Sequence, residues 1–116
     1  MHEMGLCFEL MSTLDDLLKR EGVSHITSIT LDVGEASMVV PRFLLDCWEA
    51  AKADTPYKDC SLKLNLTKAH GRCRQCGFVF AIAENDRKCP KCGSMDDFDT
   101  IDGTEFEISE IETDDN

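Results

Sequence analysis

The chain has 116 residues, 42% of them hydrophobic, enough for one small domain or a small domain with an appendage. Its formal net charge is −11, and no apolar run approaches the length needed to cross a bilayer. We therefore expect no membrane span, and the acidic, polar start of the chain is unlike a secretory signal peptide.

The charge is unevenly distributed, which bears on the class of partner. Residues 1–69 carry a net charge of −4, residues 70–94 carry +3 and residues 95–116 carry −10. Nucleic acid binding requires a sustained basic surface, and we expect none here. The basic stretch coincides with a group of cysteines, so we expect four of its cations to neutralise thiolates: Arg72, Arg74, Lys88 and Lys91.

The hydrophobic pattern of residues 1–69 predicts two helices alternating with two strands. Apolar residues at helical spacing predict an amphipathic helix over residues 4–20, ended by Gly22. Alternation predicts strands over residues 29–33 and 62–67, and between them Pro41 opens a helix that Pro56 closes. Two strands joined through a helix are expected to run parallel, with a right-handed crossing.

Two further strands are predicted after residue 69, one over residues 78–82 and one over residues 105–109. Ile111 is out of phase with the last strand, so a bulge or an end is expected near Ser109. Because a cysteine-rich segment separates the last strand from the earlier ones, we predict an α/β fold with an insertion. Its parts are a small three-stranded mixed sheet with two helices, formed by residues 1–69 and 102–116, and a four-cysteine, zinc-ribbon-like module over residues 70–101.

The most specific chemical signal is a pair of Cys-x-x-Cys motifs, each followed by glycine: Cys73, Cys76, Cys89 and Cys92. Two such pairs supply the four sulfurs of a tetrahedral metal site, for which zinc is the default ion. Four protein ligands leave no open position for a substrate, so the predicted site is structural. Rubredoxin-type iron is the main alternative ion, because Cys-Pro-x-Cys-Gly suits it as well.

The remaining cysteines bear on the cellular compartment. Cys7, Cys47 and Cys60 are isolated, and an odd number of cysteines without an export signal indicates a reducing cytosol. Disulfides for the quartet would need an oxidising compartment, which nothing in the sequence indicates. We expect a cytoplasmic protein whose isolated thiols behave as small buried apolar groups.

The start of the chain forms a second candidate metal site. The Met1 amine, the His2 backbone amide and the His2 imidazole can close two chelate rings around one ion, and Glu3 can add an amide nitrogen or a carboxylate. Nitrogen-rich ligation suits Ni(II) or Cu(II). The chemistry alone leaves open whether His2 binds a metal or is an exposed residue without a ligand. The second is the more common state of a histidine near a terminus. His70, three residues before Cys73, is left open as an outer partner of the metal, a replacement ligand or neither.

Four stretches, in this order along the chain, resemble one known family: Met1-His2-Glu3-Met4 with Leu6-Cys7, Val33-Gly34-Glu35 with Ser37, Val39 and Pro41, the two Cys-x-x-Cys pairs, and Gly103-x-Glu105-Phe106-x-Ile108-x-x-Ile111-Glu112. Together they are similar to the HypA-type hydrogenase and urease nickel-incorporation proteins. The resemblance covers nearly the whole chain. It departs from the family at Gly77 and Gly93, where many members have histidines beside the cysteines.

The resemblance implies a function in metal transfer, without enzyme activity. It implies a nickel metallochaperone that binds Ni²⁺ through Met1, His2 and Glu3 and holds structural Zn²⁺ on the four cysteines. It also implies delivery to the precursor of the [NiFe]-hydrogenase large subunit, with a nickel-binding GTPase as partner. The alternatives are delivery to urease, or a zinc-ribbon protein-interaction module with no role in nickel transfer.

Overall fold

The chain begins with a long amphipathic helix. The computed structural model describes residues 3–23 and 25–114, and helix α1 spans Glu3–Glu21. Its buried side chains recur every three or four residues, as an amphipathic helix requires: Leu6, Cys7, Leu10, Met11 and Leu14. The Gly22 backbone, at φ 68°, donates its N–H to the Leu18 carbonyl at 3.0 Å, which confirms the predicted end of the helix.

Three strands form the first sheet, in the order β2-β1-β6. They are β1 (Ile26–Gly34), β2 (Ser61–Thr67) and β6 (Phe106–Thr113). The predicted three-stranded mixed sheet is confirmed, and the insertion between β2 and β6 is confirmed with it. Strand β6 continues beyond Ser109 to Thr113, and its half-buried positions change phase between Ile108 and Ile111.

Helix α2 (Pro41–Lys52) packs against α1 and completes the first apolar core. Leu44 and Trp48 are fully buried on it. The helix ends earlier than Pro56 predicts, because residues 53–59 form a series of turns instead. The Trp48 indole N–H and the Lys52 ammonium both donate to the Cys60 carbonyl at 2.9 Å, so they fix these turns against the helix. Cys7 and Cys60 are fully buried, as expected, and Cys47 is half-buried.

A second sheet lies within the cysteine-rich insertion. Strands β3 (His70–Cys73), β4 (Val79–Ala81) and β5 (Phe98–Thr100) pair antiparallel in the order β4-β3-β5, and a 3-10 helix (Ala83–Asn85) follows β4. Only β4 was predicted. Strands β3 and β5 have three or four residues each and no clear alternation, so their sequences carry little strand signal.

The described residues form two compact units. The first comprises residues up to Leu31, residues 39–64 and residues from Ile108 onward, and the second comprises residues 32–38 and 65–107. The ends of β1 and β2 and the start of β6 therefore belong to the second unit, together with the cysteine-rich insertion. The boundaries predicted from sequence, at residues 69 and 102, stay a prediction.

Two glycines in the second unit allow a very close backbone approach. A Cβ atom added to Gly34 would lie 1.9 Å from the Gly103 carbonyl oxygen. One added to Gly103, at φ 81°, would lie 2.4 Å from the Ala69 Cα. The Ala36 N–H donates to the same Gly103 carbonyl at 2.7 Å. Only glycine fits at either position, because the obstructing atoms are backbone and cannot rotate away.

We expect Gly34→Ala to lower the free energy of unfolding by about 3 kcal/mol or more, because the new methyl group forces backbone apart. Gly5→Ala is the matched control, since a Cβ at Gly5 meets nothing within 4 Å and Gly5 lies within α1. The control should raise stability by about 0.5–1 kcal/mol. Urea unfolding followed by circular dichroism measures both, and equal stability of the two variants would contradict the packing described.

Candidate metal centre

The insertion brings the four cysteines together through two similar turns. Cys73 ends β3, and Cys89 follows the 3-10 helix. The Gly77 N–H donates to the Cys73 carbonyl at 2.9 Å, and the Gly93 N–H donates to the Cys89 carbonyl at 2.8 Å. Both glycines have φ near 80°, in the region that glycine adopts without strain. The glycine after each pair therefore closes the turn that carries the two sulfurs.

The distances between the sulfurs fit one tetrahedral ion. The four Sγ atoms all lie within 4.8 Å of one another, with Cys73 and Cys92 3.5 Å apart and Cys76 and Cys89 3.6 Å apart. Four sulfurs at about 2.3 Å from one zinc ion would be about 3.8 Å apart. Cys73 and Cys89 are buried, whereas Cys76 and Cys92 are exposed. The quartet is thus arranged so that it could hold one metal ion, with one side at the surface.

Hydrogen bonds at Cys73 favour its thiolate form. The Ser94 hydroxyl lies 3.2 Å from the Cys73 Sγ, and the Gln75 N–H donates to the same sulfur at 3.4 Å. With the Ser94 contact as the main cause, these bonds lower the pKa of Cys73, whereas hydrogen bonds to the other cysteines contribute to a raised pKa at Cys76. The fold therefore prepares this sulfur for metal ligation, which requires the deprotonated form.

The cations near the quartet do not all act as the charge count predicted. The Arg74 guanidinium donates to the Asp99 carboxylate at 2.8 Å and lies 3.6 Å from Asp97. The Lys91 ammonium lies 5.9 Å from the centre of the Phe78 ring. Pairing of β3 with β5 places the acidic segment beside the basic one, which the distribution along the sequence did not reveal. Arg74 is thus neutralised by carboxylates, so the expectation that it neutralises the thiolates is wrong.

His70 is held by a carboxylate outside the cysteine quartet. Its Nδ1 lies 3.0 Å from both oxygens of Asp102, and its backbone N–H donates to the same carboxylate at 2.6 Å. These contacts lower the pKa of Asp102, chiefly through the bond to the ring. Among residues 3–23 and 25–114, the quartet is the one group of three or more His, Cys, Asp or Glu residues arranged to bind a metal, and His70 is not part of it.

The second candidate site is described only in part. Met1 and His2 lie outside the described residues. Glu3 begins α1, and its carboxylate accepts a hydrogen bond from the Val40 N–H at 3.1 Å, immediately before α2. One oxygen of Glu3 therefore links the start of α1 to the start of α2.

Sequence reasoning missed two polar residues at these sites. Ser94 contacts Cys73 and Cys92, and Asp102 fixes His70. A serine two residues after the last cysteine is a weak signal, because hydroxyls occur throughout loops. Asp102 gave no signal that separated it from its acidic neighbours, since its contact depends on the pairing of β3 with β5.

The fold and the cysteine quartet define a metal-binding α/β protein with a structural metal module. Residues 1–113 match the family described as "Hydrogenase/urease nickel incorporation, metallochaperone, hypA", and the chain belongs to this family. Its members are metallochaperones and maturation factors, so the protein is not an enzyme, and the family works in hydrogenase maturation. No helix among the described residues is both long and apolar enough to cross a membrane.

Individual relatives agree with this assignment. The chain is 37% identical to the hydrogenase maturation factor HypA of Chlorobaculum parvum over 95 residues, which are 82% of this chain and 84% of that protein. It is 32% identical to the factor of the same name from Geotalea uraniireducens over 112 residues, 97% and 98% of the two chains. The solution structure of the Ni metallochaperone HypA from Helicobacter pylori has the same fold, with a TM-score of 0.66, 23% identity and 97% coverage of both chains.

Proposed function

We propose that this protein binds Ni²⁺ through the Met1 amine, His2 and Glu3 and delivers it to the precursor of the [NiFe]-hydrogenase large subunit. The match to a nickel-incorporation family over residues 1–113 carries the proposal, because it includes the Met-His-Glu start of the chain. We also propose a nickel-binding GTPase as partner and a cytoplasmic location. Hydrogenase is favoured over urease as the client because the relatives are named hydrogenase maturation factors.

The cysteine quartet supports different roles for two metal ions, one retained by the protein and one transferred. We assign Zn²⁺ to Cys73, Cys76, Cys89 and Cys92, because four thiolates at these separations suit a tetrahedral, redox-inert ion. A fully ligated ion is difficult to transfer, since no ligand can be exchanged without opening the cage. A chelate at a chain terminus can exchange its ligands one at a time. We therefore place the transferred ion at the N-terminus and the retained ion in the module of residues 70–101.

We expect the affinity for Ni²⁺ to fall by at least about tenfold between pH 7.5 and pH 5.5. The imidazole must lose its proton to bind, and its ordinary pKa of about 6.5 lies within this interval. Competition of protons for the terminal amine adds to the loss. Isothermal titration of zinc-loaded protein with Ni²⁺ at pH 7.5, 6.5 and 5.5 measures the effect.

The zinc content of the same samples is the control, because loss of zinc would change the fold as well as the site. Nickel affinity that is constant over this range, with zinc retained, would contradict a site built on an imidazole and an amine.

A further inference from the structure

A cavity of about 600 Å³ lies within residues 32–38 and 65–107. Ala69, Ile82 and Phe98 contribute apolar surface to its lining. Glu35 and Met38 contribute from the stretch that follows β1. None of the four cysteines lines the cavity. Its volume is typical of sites that hold a ligand or a few residues of a peptide.

Hydrogen bonds fix the walls of this cavity. Glu35 accepts the Ala69 N–H through one carboxylate oxygen at 2.8 Å. The Ala36 N–H donates to the Gly103 carbonyl at 2.7 Å, and the Arg87 N–H donates to the Ile82 carbonyl at 3.0 Å. The cavity is therefore formed before any ligand binds, so a ligand would not have to order its walls.

The charges that line the cavity leave it negative. Arg87, the one cation among the lining residues, is bonded to the Asp96 carboxylate, and its guanidinium lies 5.1 Å from the centre of the Phe98 ring. Its charge is therefore already compensated. The Asp86 carboxylate has no hydrogen bond or ion pair within the described part of the chain, and Glu35 adds a second negative charge.

The backbone at the rim is held in an unusual conformation. Four described non-glycine residues have φ in the left-handed region, and three of them line the cavity: Met38 at 70°, Asp86 at 52° and Arg87 at 63°. Residues other than glycine rarely adopt this region, and where they do, the surrounding structure holds them there. The Met38 side chain, 89% exposed, projects an apolar group at the opening.

We propose that this cavity receives an arginine or lysine side chain from an extended segment of a partner protein. The aliphatic stem of such a side chain matches the apolar surface of Ile82 and Phe98, and its cationic head matches the uncompensated Asp86. A purely apolar side chain would gain nothing from that exposed carboxylate. The peptide titration is carried out without nickel, so its outcome does not depend on the proposed nickel site.

The test uses ¹⁵N-labelled, zinc-loaded protein and the blocked tripeptide acetyl-Ala-Arg-Ala-amide. The arginine peptide is expected to shift the amide resonances of Ala69, Ile82 and Phe98. A peptide with norleucine in place of arginine keeps the stem and lacks the charge, and guanidinium chloride supplies the cation without the stem. Neither should reproduce the shifts at the same concentration.

Asp86→Asn should weaken binding of the arginine peptide at least about threefold, the value of one exposed ion pair. Asparagine tolerates the left-handed conformation, so the rim is kept. Asp16→Asn removes the same charge from an exposed position on α1 and should leave binding unchanged. The proposal is overturned by equal shifts from norleucine peptide or guanidinium, by equal binding to both variants, or by no shifts at about 10 mM peptide.

Discussion

Cys89→Ser is expected to release the structural metal and to unfold the second sheet, formed by β3, β4 and β5. The apolar core of this module is very small: Cys73, Phe80 and Cys89 are buried together, with Phe98 packed against them. Two of these residues are themselves metal ligands in our assignment. The binding energy of the ion, about 10 kcal/mol for structural zinc in small modules, therefore takes the place of a larger core.

Cys47→Ser is the matched control for this experiment. Cys47 is half-buried on α2 and is not part of the quartet, so its replacement removes a sulfur without removing a ligand. Metal content by mass spectrometry and amide resonances of residues 70–100 measure the outcome. A Cys89→Ser protein that keeps one metal ion per chain and a folded module would contradict the assignment.

Fusion of even a short peptide before Met1 is expected to weaken Ni²⁺ binding by about a hundredfold or more. The extension converts the terminal amine into an amide, and the chelate ring that the amine closes with the His2 amide nitrogen is lost. Linked donors owe affinity gains of about 10²–10⁴ to their high effective concentration, so removal of one donor has a large effect. His2→Ala should weaken binding to a similar degree, because it removes the other end of the same chelate.

Two controls match these changes. The same peptide fused after Asn116 leaves the N-terminus intact, and His25→Ala removes a histidine that pairs with Asp114 at 3.0 Å. Both should bind nickel as the native protein does in a competition titration. If the N-terminal fusion and His2→Ala retain native affinity, Met1 and His2 are not the ligands.

The helices and the first sheet were predictable because each is long enough to show a period. Helix α1 has 19 residues and β1 has nine, so apolar positions recur several times on one face. The cysteine quartet was predictable for a different reason, since ligand spacing is set by the geometry of one ion.

The second sheet, its ion pairs and the cavity could not be predicted, because they depend on contacts between distant parts of the chain. Strands β3 and β5 form because the insertion folds around the quartet, and strands of three or four residues have no period of their own. The Asp99–Arg74 and Asp102–His70 contacts follow from the pairing of these two strands. The cavity beside Asp86 likewise requires the stretch after β1 to meet residues far along the sequence.

The central claim is that two metals occupy two separate sites, with nickel held by nitrogen and oxygen at the N-terminus and zinc held by sulfur in the module. The nickel X-ray absorption spectrum of protein loaded with one zinc and one nickel ion per chain tests it most directly. We predict a nickel environment of nitrogen and oxygen ligands that includes an imidazole, with no sulfur. A spectrum dominated by nickel–sulfur scattering would place nickel on the cysteines and contradict the account.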